Sequence, residues 1–401
     1  MDFGTTGCEK GARDRDMALK KYNLGLLKDI KNGLLNLNKT KEDIFMNKKI
    51  AVLGGGHGAH TMAADLTLRG FKVTMYEMPQ FKGNIKKLFE TGSIKVEGVI
   101  NGTAKLYKVT DDIDEALADV KYINIAVPGF AHDDYAELLK GKVKKDQVII
   151  LYPGNFGALV FKKVLGKECP VICETNTLPY DTRLLGDCHV RVFGFNNTNI
   201  AFLPASKGNE LIAEVKELFP FQKIYKDVLE SGLSSLNPAL HTGPCLLNAG
   251  PIEYWARGDF YLYEHGFTPS AARVNIKLDN ERKEVGKIFG YDLNTMEDFC
   301  ELKKGFTWQE FYRAVHGNIS LTPISGPNSI HNRYLTEDAY CGLVTWASLG
   351  RLAGVRTPIL DSVINIYNII HEKDWWEEGR TAEKLGLSGM SIDQMLAYIR
   401  E

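Results

Sequence analysis

The sequence predicts an α/β fold, a doubly wound parallel sheet followed by an all-α second domain, on three observations. The stretch MNKKIAVLGGGHGAHTMAADLTLRGFKVTMYEM, opening at Met46, reads as strand, glycine turn, helix and second strand. Two later apolar runs, Tyr122–Val127 and Gln147–Tyr152, each end in Pro-Gly, as parallel strands do at a ligand-bearing sheet edge. From about Asp227 the strand signals give way to long helical patterns.

Ile50–Leu53 is a continuous apolar run suited to a buried parallel strand. Gly54, Gly56 and Ala59 then fit G-x-G-x-x-G/A, the turn of a Rossmann-type unit. Gly54 permits the tight turn, Gly56 lets backbone amides approach a pyrophosphate with no Cβ in the way, and Ala59 lets the helix lie close to the strand. His57 and Gly58 complete the turn, and all five residues are candidates for cofactor contact. A bare glycine turn is common, but here Thr61–Leu68 continues as helix, Gly70 stops it, and Lys72–Tyr76 alternates as a second strand ending on Glu77. A carboxylate at that position can accept hydrogen bonds from both adenine-ribose hydroxyls and repels a 2′-phosphate. The expected cofactor is therefore NAD rather than NADP, the bland alternative for Glu77 being a solvated strand end.

Beyond Glu77 the pattern predicts a helix over Phe81–Phe89, short strands near Ile94–Val99 and Lys105–Val109, and a short helix over Asp111–Leu117. The strands Tyr122–Val127 and Gln147–Tyr152 lead into Pro128-Gly129 and Pro153-Gly154-Asn155. Pro128 and Asn155 are thereby placed as cofactor candidates. Val171–Glu174 runs into a third edge loop, ETNTLP, and Asn199–Leu203 is a late strand. In the second half Thr307–His316, Ala339–Ala353, Pro358–His371 and Ser391–Ile399 read as helices.

At 401 residues the chain exceeds what one core comfortably serves, and two domains are expected. The division is an N-terminal extension over 1–45, a nucleotide-binding domain over 46–226 and a helical catalytic domain over 227–401. A hydrophobic content of 44% and a net charge of -1 describe a globular chain with no bulk attraction to nucleic acid or anionic membrane. No apolar run approaches the roughly 20 residues of a membrane span, and the N-terminus shows no signal-peptide core. Seven scattered cysteines, without C-x-x-C pairs, read as reduced thiols in a cytoplasmic protein. Cys169 and Cys173 are the one close pair, and no metal site is expected. Residues 1–45 carry helically spaced leucines that would dock on the body or on a second subunit, unless Met46 is the functional start.

Chemistry concentrates in two clusters. In NPALHTGPCLLNAGPIEYW, Asn237 suits a helix cap with Pro238 in the first position, and Asn237 and His241 share one face at i, i+4. Pro244 and Pro251 predict a kinked or broken helix. A histidine held this way can exchange a proton near neutral pH, whereas the plain alternative is a satisfied core histidine. In ISGPNSIHNRYLTEDAYCGLV, Arg333 falls in a loop, Thr336 caps a helix, and Glu337 and Asp338 occupy its first turn.

GGGHGAHTMAADLTLRGFKVTMYE, PGNFGALVF, ETNTLPYDTRL, NPALHTGPCLLNAG and RYLTEDAYCGLV, in that order, resemble the opine dehydrogenase family of the octopine and nopaline dehydrogenase type. The resemblance spans Lys48 to about Ile370. It implies a Rossmann domain and an α-helical domain with catalysis between them, condensing an amino acid with a 2-oxo acid, usually pyruvate, at the expense of a reduced nicotinamide. It also implies His241 as catalytic histidine, Asp338 as its acidic partner, and Arg333 as the substrate-carboxylate arginine, with Asn237 beside them as a substrate contact. The turn departs from many relatives at His57 and Ala59. Two alternatives stand beside this reading: a two-domain reductase of 2-oxo or 3-oxo acids without an amine, and an NAD-responsive binding protein. The expected partners are small molecules, on a monomer or homodimer.

Overall fold

The computed structural model describes residues 48–254, 260–317 and 325–401, so the expectation for residues 1–45 lies outside the described residues. In chain order the described strands are β1 (Lys49–Leu53), β2 (Lys72–Tyr76), β3 (Ser93–Gly98), β4 (Gly102–Lys105), β5 (Lys108–Thr110), β6 (Tyr122–Ile125), β7 (Val148–Leu151), β8 (Val171–Thr175), β9 (Tyr180–Gly186), β10 (His189–Phe195) and β11 (Ile200–Leu203). Seven make one sheet in the order β11-β8-β7-β6-β1-β2-β5. Every pairing in it is parallel except that of β11 with β8. The strand order reverses beside β1, which pairs with β2 on one side and β6 on the other. That reversal opens a crevice at the strands' carboxyl ends, where doubly wound sheets keep their ligands.

The short apolar strands are buried on both faces, as a parallel sheet requires. Along β1, Ala51 and Leu53 enter one core while Ile50 and Val52 enter the other. The first core is continuous with the helical half of the chain, through residues such as Leu233, Leu240, Trp346 and Tyr367. The second contains α1 (His57–Leu68) and a smaller sheet.

That smaller sheet, in the order β4-β3-β10-β9, is the largest departure from the sequence reading. Its outer hairpin, β9 and β10, carries no strand expectation at all. The hairpin slips register between His189 and Val190 and again between Val192 and Gly194, which breaks the period-2 pattern that marks a strand. The sheet covers α1, so this helix is buried from Ala59 to Leu66 rather than along one stripe. Two hydrogen bonds fix the sandwich: Thr61 Oγ1 to Thr182 Oγ1 at 2.7 Å and Tyr180 Oη to Asp65 Oδ2 at 2.7 Å. The helix expected over Phe81–Phe89 is a 3-10 segment, Pro79–Ile85, followed by helix Lys86–Thr91.

Two crossover helices, α2 (His132–Leu139) and α3 (Gly157–Leu165), follow β6 and β7. The helical half is built around α4 (Asn237–Leu247), α5 (Pro269–Ile288), α6 (Arg333–Asp338), α7 (Val344–Leu352) and α8 (Pro358–His371). Among the described residues no helix is long and apolar enough to cross a membrane.

Candidate active site

At the carboxyl edge of the sheet, β1 runs into Gly54, whose φ of +119° only glycine adopts at ease. A Cβ there would lie 2.8 Å from the Ala126 carbonyl oxygen of β6's extension. A Cβ on Gly55 would lie 2.4 Å from Glu77 Oε2, so the second glycine lets the acidic strand end close against the turn. A Cβ on Gly56 meets nothing within 4 Å. Gly56 is exposed and precedes the first turn of α1, whose free amides form an anion-binding end. The residues present therefore fit a dinucleotide: a tight turn, an open cradle at the third glycine, and an acidic side chain behind the second. Ala59 is fully buried at the helix–sheet contact, and a Cβ on Gly58 would come 2.9 Å from the Leu178 side chain.

Glu77 is not a solvated strand end. It is 5% exposed, and its Oε1 accepts from the Met78 amide at 2.9 Å and from the Tyr135 hydroxyl at 3.0 Å. His57 also has a protein partner: its Nδ1 accepts from the Leu184 amide of β9 at 3.1 Å. Burial, together with the Arg183 and Arg333 guanidinium charges, pushes the His57 imidazole down to about 4, so it is neutral near pH 7. Its side chain tethers β9 over the turn.

Pro128 and Gly129 leave β6 as expected, and Asn155 follows β7 in the left-handed region at φ +48°. The two loops meet, since a Cβ on Gly129 would lie 3.3 Å from Asn155 Nδ2. Both are held from behind by Arg380, which donates to the Asn155 carbonyl at 2.7 Å and to the Gly129 carbonyl at 2.6 Å.

The cluster around His241 lies chiefly on α4 and α6. Leu236, not Asn237, occupies the N-cap of α4, and Asn237 and Pro238 are its first two residues. Asn237 is half-buried, and among the described residues its side chain has no hydrogen-bond partner. Pro244 does not break the helix. It removes the amide that would bond to the Leu240 carbonyl, and Asn275 Nδ2 of α5 donates to that carbonyl instead at 3.0 Å. The interruption comes at Asn248, before the short helix Ala249–Tyr254.

His241, 7% exposed, places Nδ1 2.8 Å from Asp338 Oδ2 and Nε2 3.2 Å from the Tyr263 hydroxyl. A carboxylate oxygen is an acceptor, so the ring contributes its Nδ1–H to Asp338 and turns Nε2 toward the Tyr263 hydroxyl. Burial holds the Tyr263 phenol well above its ordinary range, so it faces Nε2 as a protonated donor. Tyr334 stacks on the imidazole, with centroids 4.3 Å apart at 23°.

α6 starts earlier than the sequence suggests. Asn332 caps it by accepting from the Tyr334 amide at 3.1 Å, and Arg333 is the first helical residue rather than a loop residue. Thr336 is inside the helix, its hydroxyl donating to the Asn332 carbonyl at 3.4 Å. Glu337 and Asp338 therefore face the core instead of complementing a helix start. Glu337 Oε2 pairs with Arg333 Nη1 at 3.1 Å, and Oε1 accepts from the Gly129 amide at 2.9 Å. Burial pushes the Glu337 carboxyl up while Arg333 opposes it. The Arg333 side chain is 58% exposed, leaving its outer nitrogens open to a ligand.

Tyr263 and Arg183 went unnoticed in the sequence, and Glu337 was read only as a first-turn helix residue. Arg183, on β9, donates to the Tyr334 hydroxyl at 3.2 Å. A continuous connection thus runs from Asp338 through His241, Tyr334 and the Arg183–Leu184 step to His57 at the glycine turn.

The NAD/NADP octopine/nopaline dehydrogenase alpha-helical domain matches residues 224–371. An opine dehydrogenase of Arthrobacter sp. (strain 1C) is 34% identical over 351 residues, covering 86% of this chain and 97% of the relative. The chain belongs to the opine dehydrogenase family. It is an oxidoreductase of the kind that acts on CH–NH donors with a nicotinamide cofactor. Among solved structures, octopine dehydrogenase with NADH and pyruvate superposes with a TM-score of 0.68 at 20% identity, covering 84% of this chain and 95% of that one. Yersinopine dehydrogenase with NADP+ bound gives 0.66 at 15% identity, covering 88% and 98%. At those identities the likeness establishes the shared fold of parallel-sheet domain and helical domain. Among the described residues six cysteines are free, and no group of three or more His, Cys, Asp or Glu is arranged to hold a metal.

Proposed function

We propose that this enzyme condenses the amino group of an amino acid with a short 2-oxo acid such as pyruvate and reduces the product with NADH. The observation that carries the reading is the buried His241–Asp338 pair, connected through Tyr334 and Arg183 to the glycine turn. In this reading residues 46–226 carry the cofactor and 227–401 the proton-transfer pair.

Condensation releases water and leaves a C=N bond; reduction adds a hydride to its carbon and a proton to its nitrogen. A bound reduced nicotinamide supplies the hydride. His241 Nε2 takes and returns the protons that accompany water loss and amine formation, while Asp338 keeps Nδ1 protonated and stabilises the imidazolium. Arg333 offers its planar donor fork to the carboxylate of the 2-oxo acid. Its pairing with Glu337, itself bonded to the Gly129 amide, sets that fork at the carboxyl edge of the sheet. Gly54, Gly56, Gly58 and Ala59 shape the diphosphate cradle, and Pro128 and Asn155 line the edge beside it. His57 contributes through β9 rather than as a phosphate ligand, and Asn237, one turn before His241, faces the substrate.

NADH is favoured over NADPH because the Glu77 carboxylate stands behind Gly55, where the adenine ribose of such a unit lies. The octopine dehydrogenase relative holds NADH and the yersinopine relative NADP+, so the family uses both.

The test is a matrix of amines against 2-oxo acids, following NADH oxidation. Turnover that requires both components supports the reading, and oxidation with a 2-oxo acid alone assigns the protein to simple keto-acid reduction. Glu77→Gln should narrow the preference for NADH over NADPH, and an unchanged ratio removes Glu77 from cofactor choice.

A further inference from the structure

An amino acid joined to a 2-oxo acid brings two carboxylates into one cleft, and the residues proposed so far provide for one. We propose that Arg183 receives the second, the carboxylate of the amino-acid substrate, and so makes the site selective for amino acids over amines that lack that group. The proposal rests on the reading of the site as an opine-forming one.

Arg183 extends from β9, the strand that His57 ties to the glycine turn. Among the described residues its guanidinium commits one nitrogen to the Thr182 carbonyl at 2.8 Å and the other to the Tyr334 hydroxyl at 3.2 Å. A guanidinium carries five N–H donors, so most of its capacity is left for a ligand. Its nearest carboxylate, Asp181, stands at 3.9 Å, too far for a hydrogen bond, and the side chain is 38% exposed. By contrast Arg333 is already shared with Glu337 at 3.1 Å.

The two arginines flank one aromatic ring. Arg333 precedes Tyr334 in the chain, and Arg183 holds the Tyr334 hydroxyl, while the ring itself stacks on His241. Glu337 couples Arg333 to Gly129, at the sheet edge where hydride must arrive. That assigns the carbon to be reduced, and hence the 2-oxo acid, to Arg333. The amine component then lies on the side of the smaller sheet, within reach of Arg183. Neighbouring charges agree: His57, on the adjoining turn, is held neutral, so no third cation competes for the anion.

The experiment compares matched pairs, L-alanine with ethylamine and L-arginine with agmatine, at saturating pyruvate and NADH, in wild type, Arg183→Gln and Arg183→Lys. A charge-assisted contact contributes about 1.5–3 kcal/mol, so Arg183→Gln should lower kcat/KM about 10–150-fold more for the amino acids than for the matched bare amines. Arg183→Lys should recover part of the loss, because a point charge remains without the fork. The pyruvate KM, the NADH Kd without substrates and the melting temperature should stay near wild type. Equal losses for amino acid and amine overturn the assignment, as does a raised NADH Kd, which would make Arg183 a diphosphate contact. Absence of amine-dependent turnover in the wild type is a different failure: it removes the opine-forming reading and this proposal together.

Discussion

Asn275 replaces the hydrogen bond that Pro244 takes out of α4. Its Nδ2 donates to the Leu240 carbonyl at 3.0 Å and its Oδ1 accepts from the Gly243 amide at 3.1 Å, bracketing the turn that carries His241. Asn275→Leu leaves the buried Leu240 carbonyl without the donor that stands in for Pro244, at roughly 1–3 kcal/mol. The expected result is a lower melting temperature together with a fall in kcat, as His241 loses its fixed approach to Asp338. A variant that melts like wild type and turns over normally would show that the helix tolerates Pro244 unaided.

His241→Ala should lower kcat by the roughly 10²–10⁴-fold typical of a lost proton-transfer group. NADH affinity should hold, since the glycine turn is untouched. Asp338→Asn should cost less, because the imidazole stays and loses only its orienting partner. Residues acting as a unit give non-additive losses, so the double variant should resemble His241→Ala alone. Additive effects in steady-state kinetics would dissolve the pair.

The second and third glycines of the turn should separate by function. A Cβ on Gly56 meets no protein atom within 4 Å, so in Gly56→Val the fold should persist while the branched side chain fills the diphosphate cradle and NADH binding disappears. Gly55→Ala drives a methyl to 2.4 Å from Glu77 Oε2, so stability should fall as well as cofactor affinity. Calorimetric titration beside thermal melts distinguishes the two, and a Gly56→Val protein that binds NADH normally would displace the cofactor from this turn.

Glu174, at the end of β8, is fully buried, with one carboxyl oxygen accepting from the Ala158 amide at 3.0 Å and the other unpartnered. Burial pushes its carboxyl up to about 8 from 4.5. Between those values the folded state holds a proton that the unfolded state releases. Its contribution to stability is therefore complete below about pH 4.5 and declines as pH rises toward 8, by on the order of 3 kcal/mol at pH 7. Glu174→Gln should flatten that slope and melt higher than wild type at neutral pH. Parallel pH–stability curves for the two proteins would count against a protonated Glu174.

The sequence announced what is periodic or glycine-marked. β1, the turn, α1, β2 and the Pro-Gly strand ends follow from local chemistry, and α8 begins and ends at the expected Pro358 and His371. The long helix α5 was missed because its buried side includes Asn275, Asp279 and Arg282, which hydrophobic periodicity scores as surface. Asp279 and Arg282 neutralise each other on the helix, and the guanidinium's remaining donors reach outside it to the Leu233 and Asn294 carbonyls. The cap of α6 was misread for a related reason: NRYLTED holds two good caps, Asn332 and Thr336, and the acidic pair after the second mimics a helix start. Only the tertiary demand that Asp338 reach His241 and Glu337 reach Gly129 decides between them. Of the residues the family resemblance singled out, His241 and Asp338 stand in contact. What no local pattern announces is the tertiary contact that brings Arg183 to the Tyr334 hydroxyl.

The grip of Arg380 on the Gly129 and Asn155 carbonyls has a consequence for how the protein comes into being. One of those bonds spans 251 positions and the other 225, so the loops emerge from the ribosome long before the side chain that joins them. During that interval the nascent chain holds its strands and glycine turn without the brace at their carboxyl edge. A nucleotide met early would find an unfinished rim, completed only by a guanidinium 225 and 251 positions away from the carbonyls it joins.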